Sequence, residues 1–215
     1  MPIFSQTQLV ALFRTTLLTT MGLFFLLSGT RTQGEEAPAP APAPSAAPEP
    51  ADAKPEDAGR ELRKKILSQT AKDLGIAPSP EFPRIYGVLV EWPLGKTTAT
   101  ILSMSTGAAS LYTTSSYGII GGEPHERVAG AAKAAVRAAD KHFDAAKPVK
   151  EFPYPAAGRV NFYLLGFDGV RKLETDLAGI EDESSPYVHL FYQGQNVLGQ
   201  LRLVAEKKDQ EQGKK

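Results

Sequence analysis

The segment Gly118-Ile119-Ile120-Gly121-Gly122-Glu123-Pro124-His125-Glu126 has the most scope for chemistry in this chain. A glycine-rich turn ahead of a helix presents unpaired N–H groups, and such a terminus attracts anions. Here Glu123 and Glu126 already occupy the positive end and repel one. Two readings stay open. In one, the glycines turn the chain and the acids complement the helix. In the other, Glu123 and His125 contribute to a ligand or metal site. The three histidines, His125, His142 and His189, show no metal-ligand spacing. A metalloprotease helix needs a second histidine four residues after His125, and that position is Ala129. His142 and His189 fall on predicted helices and read as surface or packing residues.

Two other groups invite a chemical reading. Gly95-Lys96-Thr97 looks like the end of a phosphate-binding loop, but the pattern requires glycine where Val90 stands and a helix where a strand follows. Tyr112-Thr113-Thr114-Ser115-Ser116-Tyr117 is rich in hydroxyls, yet nucleophilic catalysis needs a base held against one of them, and no G-x-S-x-G elbow is present. The run reads as a strand with a polar outer face, or as a partner-facing edge open to strand addition. Phe152, Tyr154 and Phe167, with Trp92, read as a recognition patch or as residues folded onto the core. No catalytic, cofactor or metal residue is assigned. The candidate ligand or partner patch is Tyr112, Tyr117, Glu123 and His125.

The elements that position these residues follow from periodicity. A first helix is expected over Glu56–Leu74, with Leu62, Ile66, Leu67, Ala71 and Leu74 on one face and Arg60, Arg63, Lys64 and Lys72 largely off it. Gly75 suits its C-terminal cap. Ile85–Glu91, Thr97–Met104 and Ser110–Ser115 read as strands joined by glycine-containing turns. A second helix follows Gly121-Gly122, with Pro124 in its first turn and an alanine-rich stripe from Val128 to Phe143. Lys147–Ala157 reads as a loop. Arg159–Leu165 and Val170–Leu177 form a hairpin through Asp168-Gly169. A last helix begins near Ser185-Pro186, is weakened by Gly194 and Gly199, and frays beyond Glu206. The expected fold is α+β: a five-stranded antiparallel sheet with helices on one face, in the order α-βββ-α-ββ-α. That order resembles the secretion-chaperone fold and, less closely, roadblock-type domains. The resemblance is one of topology and carries no function.

Composition narrows the function classes. The chain has 215 residues, with 24 Lys+Arg against 24 Asp+Glu, so no single-sign field holds nucleic acid. It contains no cysteine, which removes disulfides, thiolate metal sites and cysteine nucleophiles. Residues 1–34 read as an export segment: Arg14, an apolar run from Leu17 to Leu27, then small residues. It is either a signal peptide, cleaved between Thr30 and Glu36, or an uncleaved membrane anchor. Reaching spanning length would place Arg14 in hydrocarbon, at about 2.5–3.5 kcal/mol. Residues 35–58 form a proline–alanine linker whose repeated prolines bar helix and sheet. The globular domain is expected over 59–206, and 207–215 form a polar tail. These features suggest an exported, periplasmic or extracellular, non-enzymatic domain that binds a protein partner in the cell envelope. No cofactor and no nucleic acid are expected, and membrane contact comes only through the N-terminal segment. The alternative is a small-molecule or metal-binding sensor built on the Gly118–Glu126 turn.

Overall fold

The computed structural model describes residues 57–115, 118–120 and 124–212, all within one compact unit. The export segment and nearly all of the linker lie outside these residues. Three helices are described: α1 (Ala58–Ser68), α2 (Glu126–Asp140) and α3 (Val188–Gln212). The strands are β1 (Ile85–Leu94), β2 (Thr97–Met104), β3 (Ala109–Thr113), β4 (Gly118–Ile120), β5 (Lys147–Pro148), β6 (Arg159–Gly166) and β7 (Gly169–Asp176). They make one antiparallel sheet in the order β4-β3-β2-β1-β6-β7-β5.

The α+β class holds, but the sheet has seven strands where five are expected from sequence. The five expected strands are all present. The two additional strands, β4 and β5, span three and two residues and occupy opposite edges. Neither is long enough to show the alternation that marks a strand in sequence. β4 lies in the glycine-rich segment and β5 contains Pro148, which cannot donate to a ladder.

Helices cover both faces, not one. Val88, Val90, Trp92, Ile101, Leu111, Phe162 and Leu164 pack with α2 and α3 on one side. Tyr86, Leu89, Leu102, Met104, Tyr112, Tyr163 and Leu165 pack with Ile66 and Leu67 of α1 on the other. Adjacent strand residues point to opposite faces, so β1 and β6 must be apolar at nearly every position, as they are. A register shift between Ile85 and Gly87 changes the phase of β1, which is why Ile85 and Val88 share a face.

α1 ends at Ser68, six residues before the expected end. Gln69 is extended, and Thr70 starts a separate turn. The Thr70 N–H and hydroxyl donate to Asp73 Oδ2 at 2.8 and 2.7 Å, and the Asp73 N–H donates back to Thr70 Oγ1. This reciprocal cap closes one turn that Gly75 ends at φ +67. α2 starts at Glu126, so Pro124 lies before the helix and His125 is its N-cap. At the other end, Arg84 donates to both Asp140 carboxylate oxygens (3.1 and 2.8 Å) and to the Asp140 carbonyl (2.6 Å), tying the α2 terminus to the start of β1. α3 buries Gly194 against Val90, where a Cβ would lie 3.1 Å from Val90 Cγ2. The glycine that weakens α3 as a helix thus lets it approach the sheet.

Candidate functional site

Charged groups inside a core need partners, and one such constellation lies at the centre of the sheet. Glu91 stands in β1 between Val90 and Trp92, which face α2 and α3. Its own side chain therefore faces α1. Arg63 lies one turn before Ile66 and Leu67 on the buried stripe of α1. Side-chain exposure is 7% for Arg63 and 0% for Glu91. The Arg63 Nε–H donates to Glu91 Oε1 at 2.5 Å and Nη2–H to Oε2 at 2.9 Å. Thr100, opposite Glu91 on β2, donates its hydroxyl to Oε1 at 2.8 Å.

Aromatic side chains enclose this pair. The Arg63 guanidinium stands 4.0 Å from the Tyr154 ring centroid and 5.6 Å from that of Tyr163. Tyr163 donates its hydroxyl to the Pro153 carbonyl at 2.6 Å, and Asn161, opposite Glu91 on β6, donates Nδ2–H to the same oxygen at 3.2 Å. Asn161 Oδ1 is buried with no hydrogen-bond partner among the described residues. Burial works hardest on the Arg63 pKa, pulling it down, but the hydrogen bonds and charge of Glu91 outweigh it and the net shift is upward. Burial, and then the charge of Glu91, pushes the Tyr163 phenol up to about 12. Burial also raises Tyr154.

This arrangement ties α1 to the sheet. A general base must reach a substrate proton, and each Glu91 oxygen already accepts from a neighbour. The charge-assisted, bidentate geometry is the strong kind. The sequence reading missed both residues and placed Arg63 off the apolar face. The signals were an acid inside an otherwise apolar strand and an arginine at i−3 and i−4 from two core residues.

Of the expected patch, Tyr112 and His125 lie among the described residues. Tyr112 lies in β3, 6% exposed, with its ring in the α1-side core; burial raises its pKa. It stands opposite Thr100, two strands from Glu91. Over Ser110–Tyr112, β3 is paired on both sides, so the sheet edge is β4. His125 is half-buried at the start of α2, across the sheet from the Tyr112 ring. Tyr117 and Glu123 lie outside the described residues. His142 follows α2, packs edge-on against Tyr187 at 5.3 Å, and is depressed in pKa by burial, then by His189 and Lys141. His125 and His142 are separated by the length of α2, roughly 22 Å for fifteen residues. The aromatic group divides between faces: Phe152 packs on Tyr163 and Phe167 on Tyr86, while Trp92 packs on Phe191. Lys96 follows Gly95 in a β1–β2 turn with β2 after it.

Among the described residues, no group of three or more His, Asp or Glu side chains is placed to hold a metal ion, and no helix is long and apolar enough to cross a membrane. A groove of about 400 Å³ runs between α2 and α3, lined by Arg127, Gly130, Ala131, Ala134, Asn196 and Gln200. No family model, curated protein or solved structure matches the chain, so the topological resemblance to secretion chaperones and roadblock-type domains finds no support there.

Proposed function

We propose that the protein is an exported or membrane-tethered envelope domain that binds a protein partner and does not catalyse a reaction. The observation that carries this reading is the use made of internal charge. The Arg63–Glu91–Thr100 constellation holds a helix to the sheet, with its donors and acceptors turned to one another. The sequence adds an apolar leader and a proline–alanine spacer, a combination suited to presenting a domain at a distance from a membrane. Three large apolar side chains, Ile120, Tyr192 and Leu203, are exposed on the described surface, with Ile120 at 61% on the edge strand. A hydrophobic edge residue suits strand addition by a partner.

Two measurements test the reading separately. A topology reporter fused after residue 58 is expected to be active only beyond the cytoplasmic membrane; activity confined to the cytosol overturns the location. A photo-crosslinking residue placed in turn at Ile120, Tyr192 and Leu203 in living cells is expected to give one discrete adduct from one face. No adduct from any position counts against partner binding.

A further inference from the structure

We propose that α1 is a strap that detaches from the sheet as a unit while the rest of the domain stays folded, and that the Arg63–Glu91 pair is its latch. α1 buries three side chains, Arg63, Ile66 and Leu67, whereas α2 buries seven. An eleven-residue helix does not sustain itself in water, so α1 depends on that short contact row. Asp57 makes no side-chain cap at its N-terminus. Its C-terminal end is uncoupled from the Thr70–Gly75 turn by extended Gln69, whose carbonyl accepts from the Tyr86 hydroxyl at 3.0 Å. At the N-terminal end Gly59 lies against the Thr113 carbonyl, where a Cβ would stand 2.6 Å from the oxygen, and Arg60 reaches the Thr114 carbonyl at 3.4 Å. Beside the buried Ile66 and Leu67, the bidentate bond from Arg63 to Glu91 is the charge-assisted tie between α1 and the sheet.

Opening has an asymmetric consequence for the two charges. Arg63 leaves with the helix and is hydrated at once. Glu91 stays on β1 with Thr100, uncovered at the middle of a face that includes Leu89, Leu102, Tyr112 and Tyr163. The spacer joins the chain immediately before α1, so a pull along the backbone reaches α1 before any other described element. The inference concerns the domain alone and does not rest on where the protein resides.

The absence of cysteine makes a direct test possible. In the full chain, Leu67→Cys places a unique thiol under α1, and Leu164→Cys places one on β6, where the residue is fully buried against the other two helices. With a disulfide reagent at neutral pH, the position-67 thiol is expected to react at least ~10-fold faster than the position-164 thiol, as for a sub-global rather than a global opening. Adding Arg63→Met destabilises the closed state alone, so it is expected to raise both rates by at least ~100-fold, the factor for removing one partner of a buried pair, with the position-67 thiol still the faster. Equal rates at the two thiols overturn the proposal. Should a cysteine variant not fold, amide exchange in the unaltered chain decides. Amides of residues 61–68 exchanging with weaker urea dependence than those of β6 support the strap; identical dependence overturns it.

Discussion

Removing the Arg63 charge while leaving Glu91 in place should damage the domain more than removing both. Arg63→Met strands a carboxylate with no exposure and only the Thr100 hydroxyl as partner. Breaking a buried pair from one side costs about 3–5 kcal/mol. Glu91→Leu leaves a guanidinium that is buried, at 7% exposure, but carried on a long flexible stem that can swing toward water, so the cost falls to about 2 kcal/mol. Combining the two changes replaces the pair by apolar groups of similar size, a swap that is neutral or stabilising in known cases. The orphaned Thr100 hydroxyl takes back about 1 kcal/mol, so the double variant should lie within ~1 kcal/mol of the parent. Coupling between the two sites is then at least ~4 kcal/mol, well above the scale of a surface pair. Equilibrium urea unfolding of the full chain measures it. Trp92 supplies the signal: it is the only tryptophan and packs against Phe191 on the face away from α1, so it reports global unfolding. A loss below ~1 kcal/mol for Arg63→Met, or a double variant as unstable as the sum of the singles, refutes the reasoning.

Two further expectations concern packing and ionisation. Gly199→Ala should stabilise the protein by about 0.5–1 kcal/mol, because no atom lies within 4 Å of the added methyl and alanine is the better helix former. Gly194→Ala gains the same propensity but meets Val90, fully buried in β1, so overpacking of about 1–3 kcal/mol should cancel or reverse it; urea midpoints that move together for the two variants would show that α3 does not approach β1 closely. Stability should fall as pH rises above 10, because burial raises Tyr86, Tyr112, Tyr154 and Tyr163 above their ordinary value of 10.0 while the unfolded chain releases those protons. Tyr163→Phe should flatten the part of that decline lying between pH 10 and about 12 and remove a phenol that titrates near 12 from the ultraviolet titration; an unchanged alkaline profile refutes the assignment.

The parts of this fold with their own periodicity were readable in advance. All five long strands and all three helices appear near their expected places, because β-branched runs and helical stripes are local signals. The expected one-sided arrangement does not hold, and the strands themselves carry the reason. Ile-Tyr-Gly-Val-Leu-Val in β1 and Val-Asn-Phe-Tyr-Leu-Leu in β6 have no polar face to give to solvent. Apolar spacing alone overextends α1, because Ala71 and Leu74 continue it, while the Thr70–Asp73 cap that interrupts it is a short-range polar contact. The central pair was illegible as a pair, since nothing in the chain relates position 63 to position 91 until α1 lies across β1. Tyr112 and His125 show the same limit of local reading. They are near in sequence, but the Tyr112 ring packs on the α1 side of the sheet while α2, which His125 precedes, packs on the other.

The placement of β6 beside β1 has a consequence for the growing chain. β1 to β4 are joined by short turns and can pair as soon as they have been synthesised. The opposite side of β1 must wait for β6, which follows the whole of α2 and the segment after it. During that interval a strand that is greasy on both sides keeps an unsatisfied row of amides and carbonyls, the condition under which nascent chains pair with one another. The order of elements along the polypeptide therefore favours keeping the early half extended or shielded until the later half has arrived.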